Sequence, residues 1–399
     1  MATRKFSADH LFTGHGMAAE DTVLITDEAG VILALASTEE AGEGVESYSG
    51  ILCPGFVNCH CHLELSHMRG LIPEKTGLID FLLDVMKKRD FQADLVRDAL
   101  AAAEKEMVRN GIVAVGDICN TTHSFSQKTE GNIYYHNFVE AMGFIGAGAP
   151  ARFDAARKTF EAFAQAYPLP VESNSIVPHA PYSVSDELFG LIANFPGNHI
   201  LTIHNQETPA EDAFSQSGGG DFLRLYEALG IDVSFFRGRG KRSLPGYLPF
   251  FYPNQSLILV HNVETTEEDL LFARQWRPAA DGGPSLFFCL CPNANLYISG
   301  RLPAVDLLRK QDCTLVVGTD SLASNHVLSI LEELKTLQAH FPEVPAGTLL
   351  RWATLNGAMA LQAEDMLGSF EAGKQPGVIL IEGCDGDRFM ERATVQRLL

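Results

Sequence analysis

The stretch ILCPGFVNCHCHLELSHMRG, residues 51 to 70, opens on an apolar run, turns polar at His60-Cys61-His62 and runs on into a loop. The same order of an apolar β-branched run, a polar loop and an amphipathic stretch recurs along the chain. Runs at 51–58, 111–118, 133–140, 173–179, 199–204, 256–261, 285–291 and 313–320 are strand candidates. Between them lie segments such as FLLDVMKKRDFQADLVRDALAAAEKEMVRN and ARFDAARKTFEAFAQAY, which carry a helical period. Strands that alternate with helices pair in parallel. Eight such units are the number that closes a (β/α)8 TIM-like barrel, so the expected class is α/β.

Outside that stretch the pattern changes. Residues 22 to 52 alternate short apolar runs with turn residues, as in TVLITDEAGVILALAS, and LGSFEAGKQPGVILIEG returns to the same style near the other end. Residues 1–51 and 367–399 are therefore expected to share a small β-sandwich domain beside a barrel of residues 52–366.

Thirty Lys and Arg against fifty Asp and Glu give 399 residues a formal charge of −20, which argues against nucleic-acid or anionic-membrane partners. The start, MATRKFSADHLFTGHG, lacks the apolar core of a secretory signal, so a cytoplasmic location is expected. The eight cysteines are dispersed and form neither a disulfide framework nor a paired CxxC zinc ribbon. Nothing in the composition decides whether the chain forms a homo-oligomer.

In a parallel barrel the chemistry gathers at the C-terminal ends of the strands. Here those ends carry His60 and His62, His204, His261 and Asp320. One histidine at a strand end is most simply a hydrogen-bonded structural residue. Several at the mouth of one barrel, with a carboxylate, make a site suited to a divalent ion such as zinc. Alternation sends residues i and i+2 to one side, so His60 and His62 point together while Cys59 and Cys61 face away as packing residues. Glu207, three residues past His204, is a candidate proton shuttle, against the plainer role of helix cap. No lysine stands at the ends of the third and fourth strands (FVEAMG, VPHAPY), which favours one metal ion over a lysine-bridged pair.

PGFVNCHCHLELS, HAPYSVS, HNQETPAEDAF, LVHNVETTEEDL, CPNANLYISGRLP, GTDSLAS and TLNGAMALQAEDMLGSFEAGK, in that order, resemble the amidohydrolase superfamily, in its cytosine-deaminase-like and chlorohydrolase-like branch. The resemblance implies one divalent ion, zinc with iron or manganese as alternatives, on His60, His62, His204 and Asp320. It implies catalytic roles for Glu207, His261 and Asp320. The ion acidifies water, Asp320 takes the proton, His261 orients the nucleophile, Glu207 protonates a ring nitrogen, and ammonia leaves an amino-bearing N-heterocycle. CHCH, CPNAN and GKQPG depart from the usual family wording without touching a proposed ligand.

HLELS with HNQETPAEDAF and GGGDFLRLYEALG is more loosely similar to the aminodeoxyfutalosine and adenine-nucleoside deaminases, which makes a small purine-like, pyrimidine-like or adenine-nucleoside substrate the expected partner. Glu64, Ser66, His179 and Asn120 are then substrate-binding candidates, with Arg69 and Tyr182 beside them. Arg237, Arg239, Lys241 and Arg242 form a basic loop in an acidic chain, either a solvated or subunit-facing segment or a grip on an anionic substrate. Alternatives within the same fold are loss of halide or alkylamine, or opening of a cyclic amide. A silent binding barrel would need a missing ligand, and the zinc nucleobase-deaminase fold would need PCxxC, which does not occur.

Overall fold

The computed structural model describes residues 3–165, 173–276, 286–386 and 388–399. Its strands are β1 (Thr3–Leu11), β2 (Thr22–Asp27), β3 (Ile32–Ser37), β4 (Glu46–Pro54), β5 (Phe56–Cys61), β6 (Ile112–Cys119) and β7 (Tyr134–Ala141). There follow β8 (Asn174–Pro178), β9 (Ile200–Asn205), β10 (Ser256–His261), β11 (Leu286–Leu290), β12 (Thr314–Val317), β13 (Val378–Asp385) and β14 (Arg388–Arg397). β6 to β12 match seven of the eight expected strands within a few residues, although Ser285 of the seventh lies outside the described residues; the first, expected at 51–58, is split between β4 and β5.

β5 to β12 form two four-stranded parallel sheets, β5-β6-β7-β8 and β9-β10-β11-β12, rather than one unbroken ladder. Side-chain amides bridge the two seams. Asn58 donates to Thr319 Oγ1 (2.7 Å) and accepts the Thr319 N–H (3.1 Å) between β5 and β12. Asn198, just ahead of β9, accepts the Ile176 N–H of β8 (2.8 Å) and donates to its carbonyl (2.7 Å). At the strand ends the N–H groups of Thr319 and Asp320 both donate to the His60 carbonyl, and that of His204 to the His179 carbonyl. The two sheets are thus joined at these points by individual hydrogen bonds rather than by a continuous strand ladder.

Helices between the strands bury one face each. In Ala93–Arg109 the buried apolar positions are Val96, Leu100, Ala103 and Met107, spaced three or four apart. Helix Pro209–Ser217 ends on Gly218 with φ +70°, a left-handed C-cap that a side chain would strain.

Both chain ends contribute to one six-stranded sheet, in the order β14-β13-β4-β1-β2-β3. The expected sandwich of two sheets is replaced by this single layer. Along β13, Val378 and Leu380 pack into a small core with Phe6, Leu24 and Leu52, whereas Ile379 and Ile381 join the large core shared with β5 to β12. Period-two alternation buries both faces, and the second is covered by the main body of the protein rather than by another sheet.

The opening stretch is divided differently as well. ILCP belongs to β4 of the six-stranded sheet, and FVNCHC alone is β5. Gly55 separates them because a Cβ there would stand 2.3 Å from a Val113 methyl and 2.8 Å from the Pro376 carbonyl oxygen. Among the described residues no helix is long and apolar enough to cross a membrane.

Candidate active site

His60 lies in β5 and His62 just beyond its end, and their Nε2 atoms are 3.2 Å apart. Asp320 Oδ1 stands 3.8 Å from the first and 3.6 Å from the second. One ligand nitrogen each from His60, His62 and His204 falls within a mutual 4.8 Å. Two nitrogens bound to one tetrahedral ion at about 2.05 Å are about 3.3 Å apart, so the His60–His62 spacing fits a shared divalent ion. Cys59 and Cys61 are fully buried in the main core, as alternation requires.

His204 donates from Nδ1 to the His179 carbonyl (2.8 Å), which leaves Nε2 as the free lone pair facing the site. Burial is the first cause holding His60, His62 and His204 below the ordinary histidine range, a shift toward the neutral form a ligand needs. His261 is pushed down to about 3, first by burial, and its Nδ1 rests 3.1 Å from the Asn295 side-chain amide.

The backbone is strained here. His261 (φ +78°), Asp320 (φ +57°) and Gln206 (φ +48°) occupy left-handed conformations that cost non-glycine residues about 1–3 kcal/mol each. At Gly318 a Cβ would lie 2.8 Å from His60 Cβ, so the turn before Asp320 requires glycine.

Two carboxyl groups are driven apart. Burial opposes ionisation of Asp320, but His62, His261, His204 and the Ser324 hydroxyl (2.9 Å) outweigh it and hold Asp320 below the ordinary range. Glu207, whose Oε2 lies 3.7 Å from His261 Nε2, is held well above its usual value by burial and then by Asp320 and Glu211. The two shifts run in opposite directions, the division that acid–base catalysis needs.

These groups form one wall of a cavity of about 510 Å³, lined among others by His62, Asn120, Glu140, His179, His204, Glu207, His261 and Asp320. The remaining wall is largely apolar, with Leu78, Phe81, Met142, Phe144, Leu225 and Ile298. His179 and Asn120 therefore face the cavity, as does Tyr182. Glu64 and Ser66 are not among its lining residues. The Glu64 carboxylate accepts from the N–H groups of Asn120 and Thr121 and from the Thr121 hydroxyl (2.8 Å), stapling the loop after β6 to the loop after β5. Ser66 donates to the Leu63 carbonyl, and Arg69 pairs with Glu106 at 2.8 Å.

Sequence reading missed Glu140, although its place at the end of β7 was signal enough. It accepts from Asn120 Nδ2 (2.9 Å) and lies 3.9 Å from His204 Nδ1. Also missed was Lys128, wholly buried against Asp117 (2.5 Å), whose other oxygen accepts the Leu63 N–H beside His62.

The amidohydrolase family matches residues 51–396. The chain belongs to that family. A 5-methylthioadenosine/S-adenosylhomocysteine deaminase of Teredinibacter turnerae is 27% identical to this amidohydrolase over 357 residues, 84% of this chain and 73% of the relative. In fold it is similar to the Helicobacter pylori aminofutalosine deaminase in complex with methylthio-coformycin, with TM-score 0.80, 21% identity, and 97% and 93% of the two chains covered. An adenosine deaminase from Xanthomonas campestris with bound zinc has TM-score 0.70 and 23% identity, covering 95% of this chain and 84% of that one. The protein is a hydrolase acting on carbon–nitrogen bonds other than peptide bonds, and it carries residue groups that could hold a metal ion.

Proposed function

We propose that this amidohydrolase is a metal-dependent deaminase of adenine nucleosides that carry a substituent at the 5′ position. The observation that supports this reading best is the lining of the cavity, which combines His62, His204, Glu207, His261 and Asp320 with many apolar side chains. About 510 Å³ lies within the range of about 300–1,000 Å³ that houses a whole ligand rather than a bare ring.

His60, His62, His204 and Asp320 would hold the ion, zinc by their N/O character, with iron or manganese as alternatives. When bound, it supplies a water acidified enough to act as a nucleophile at neutral pH. Asp320, ionised, receives the proton that the attacking water gives up. His261, neutral and fixed by Asn295, orients that water by a hydrogen bond. Glu207, protonated, donates to the ring nitrogen next to the attacked carbon; Asp320 then passes its proton to the amino group, the C–N bond breaks as ammonia leaves, and the hydroxyl proton of the intermediate returns to Glu207 as the carbonyl forms.

The rest of the cavity suits the remainder of such a nucleoside. Burial works against Glu140, but His179, His204, His62 and Asn120 overcome it and keep it ionised, an acceptor matched to sugar hydroxyls. Arg89 and Arg152 line the cavity, and neither guanidinium has a carboxylate partner among the described residues. They suit an anionic group at the far end of an apolar substituent.

An ammonia-release screen of the zinc-loaded protein against adenosine, 5′-methylthioadenosine, aminodeoxyfutalosine, guanine and cytosine tests the reading. The substituted nucleosides are expected to have kcat/KM at least tenfold above adenosine and the free bases. Faster turnover of a free base would refute it.

A further inference from the structure

The excursion between β9 and β10 carries Arg237, Arg239, Lys241 and Arg242, none of which lines the cavity. Arg239 pairs with Asp186 at 2.5 Å and lies over the Phe250 ring. Arg242 turns inward. Its Nε donates to Asp269 (2.9 Å), and its outer nitrogen reaches Asp212 (2.7 Å) and the Glu264 carbonyl (2.6 Å).

Each of these partners leads to the turn that holds Glu207. Asp269 also accepts the Gln206 side-chain amide (2.8 Å), and Gln206 Oε1 accepts from the Thr265 hydroxyl (2.9 Å). Ser243, next to Arg242, gives its N–H to Asp212 (2.7 Å) and its hydroxyl to Glu211. Glu211 in turn accepts the N–H groups of Gln206 (2.8 Å) and Glu207 (3.3 Å). Gln206, with φ +48°, is the strained residue that aims Glu207. Without outside support such a residue relaxes, and a displacement of about 1 Å at a reacting group costs about 10²-fold in rate.

We infer that Arg242 and Ser243, acting through Asp269 and Glu211, are positioning residues that hold the Glu207 carboxyl against the substrate ring. The basic segment is a brace between the turns after β9 and β10, not a trap for anions. The inference rests on Glu207 being the proton donor of the proposed reaction.

The test uses zinc-loaded full-length protein, 5′-methylthioadenosine as turnover probe, and the variants Ser243→Ala, Arg242→Lys and Arg242→Ala, with Lys241→Ala, an exposed side chain, as control. Ser243→Ala is expected to lower kcat about tenfold and Arg242→Ala about 100-fold, with KM within about twofold and zinc content unchanged. Arg242→Lys should recover part of that loss. Hydrogen exchange at residues 205–208 should speed up about tenfold in Ser243→Ala and Arg242→Ala but not at residues 59–63. Should Arg242→Ala not fold, Ser243→Ala and Arg242→Lys carry the comparison. Unchanged kcat, a KM that rises while kcat holds, or unchanged exchange at 205–208 overturns the brace. Wild-type protein that releases no ammonia from any nucleoside overturns the reaction instead, and the exchange comparison still decides the brace.

Discussion

Replacing Glu207 by Gln keeps the size and the hydrogen-bond donor of the protonated side chain but removes the proton it can release. The side chain is 5% exposed, so no solvent path offers an easy substitute donor. A positioned general acid contributes about 10²–10⁴-fold, equivalent to about 2.7–5.4 kcal/mol of barrier at 1.36 kcal/mol per tenfold. Glu207→Gln should therefore lower kcat by that range while KM changes little, because a donor still faces the ring.

Stability gives a second readout with a definite sign. Glu titrates near about 4.3 when unfolded, and Glu207 is held well above its ordinary value in the fold. Its contribution is fully present below the unfolded value and is lost as pH rises through the folded one. Above the unfolded value the unfolded chain has released a proton that the fold still holds, which costs stability that Gln cannot incur. The melting temperature of the chelated variant, relative to wild type, should therefore climb as pH rises above about 4.3. A kcat within threefold of wild type, or a difference in melting temperature that stays flat with pH, would refute the reasoning.

The metal wall yields a paired outcome: Cys61→Ser should bind zinc at the wild-type stoichiometry, and His62→Ala should not, as read by elemental analysis of dialysed protein. Lys128→Ala strands Asp117 in a site where both side chains are 0% exposed. Removing one partner of such a pair costs about 3–5 kcal/mol, a loss that urea unfolding would detect.

What could be read in the sequence was whatever a local period settles. His60 and His62 share a side because alternation is fixed residue by residue, and Asp320, His204 and His261 stand out because an apolar run shows where a strand stops. What depended on distant neighbours stayed hidden. Within ILCPGFVN the Pro54-Gly55 pair is a local break signal, but that its two halves join different sheets depends on distant neighbours such as Val113 and Pro376. Alternation in β13 shows that both faces are buried but not that the main body covers one of them. The loop residues Glu64 and Ser66 looked available for substrate because a free carboxylate and one that staples two loops have the same local signature. Glu140 went unnoticed because its strand end was scanned for lysine.

The division of the opening stretch bears on how the protein is made. β4 lies between β1, which precedes it in the chain, and β13, which follows it only after the whole of β5 to β12. Until Val378–Ile381 leaves the ribosome, one edge of β4 has unpaired N–H and C=O groups, the kind of edge that invites wrong partners. Only Gly55 separates β4 from the strand bearing His60. The nascent chain thus carries His60 and His62 beside an uncovered strand edge while β5 to β12 are being made, and β13, which covers that edge, begins some sixty residues after Asp320, counted from position 320 to position 378.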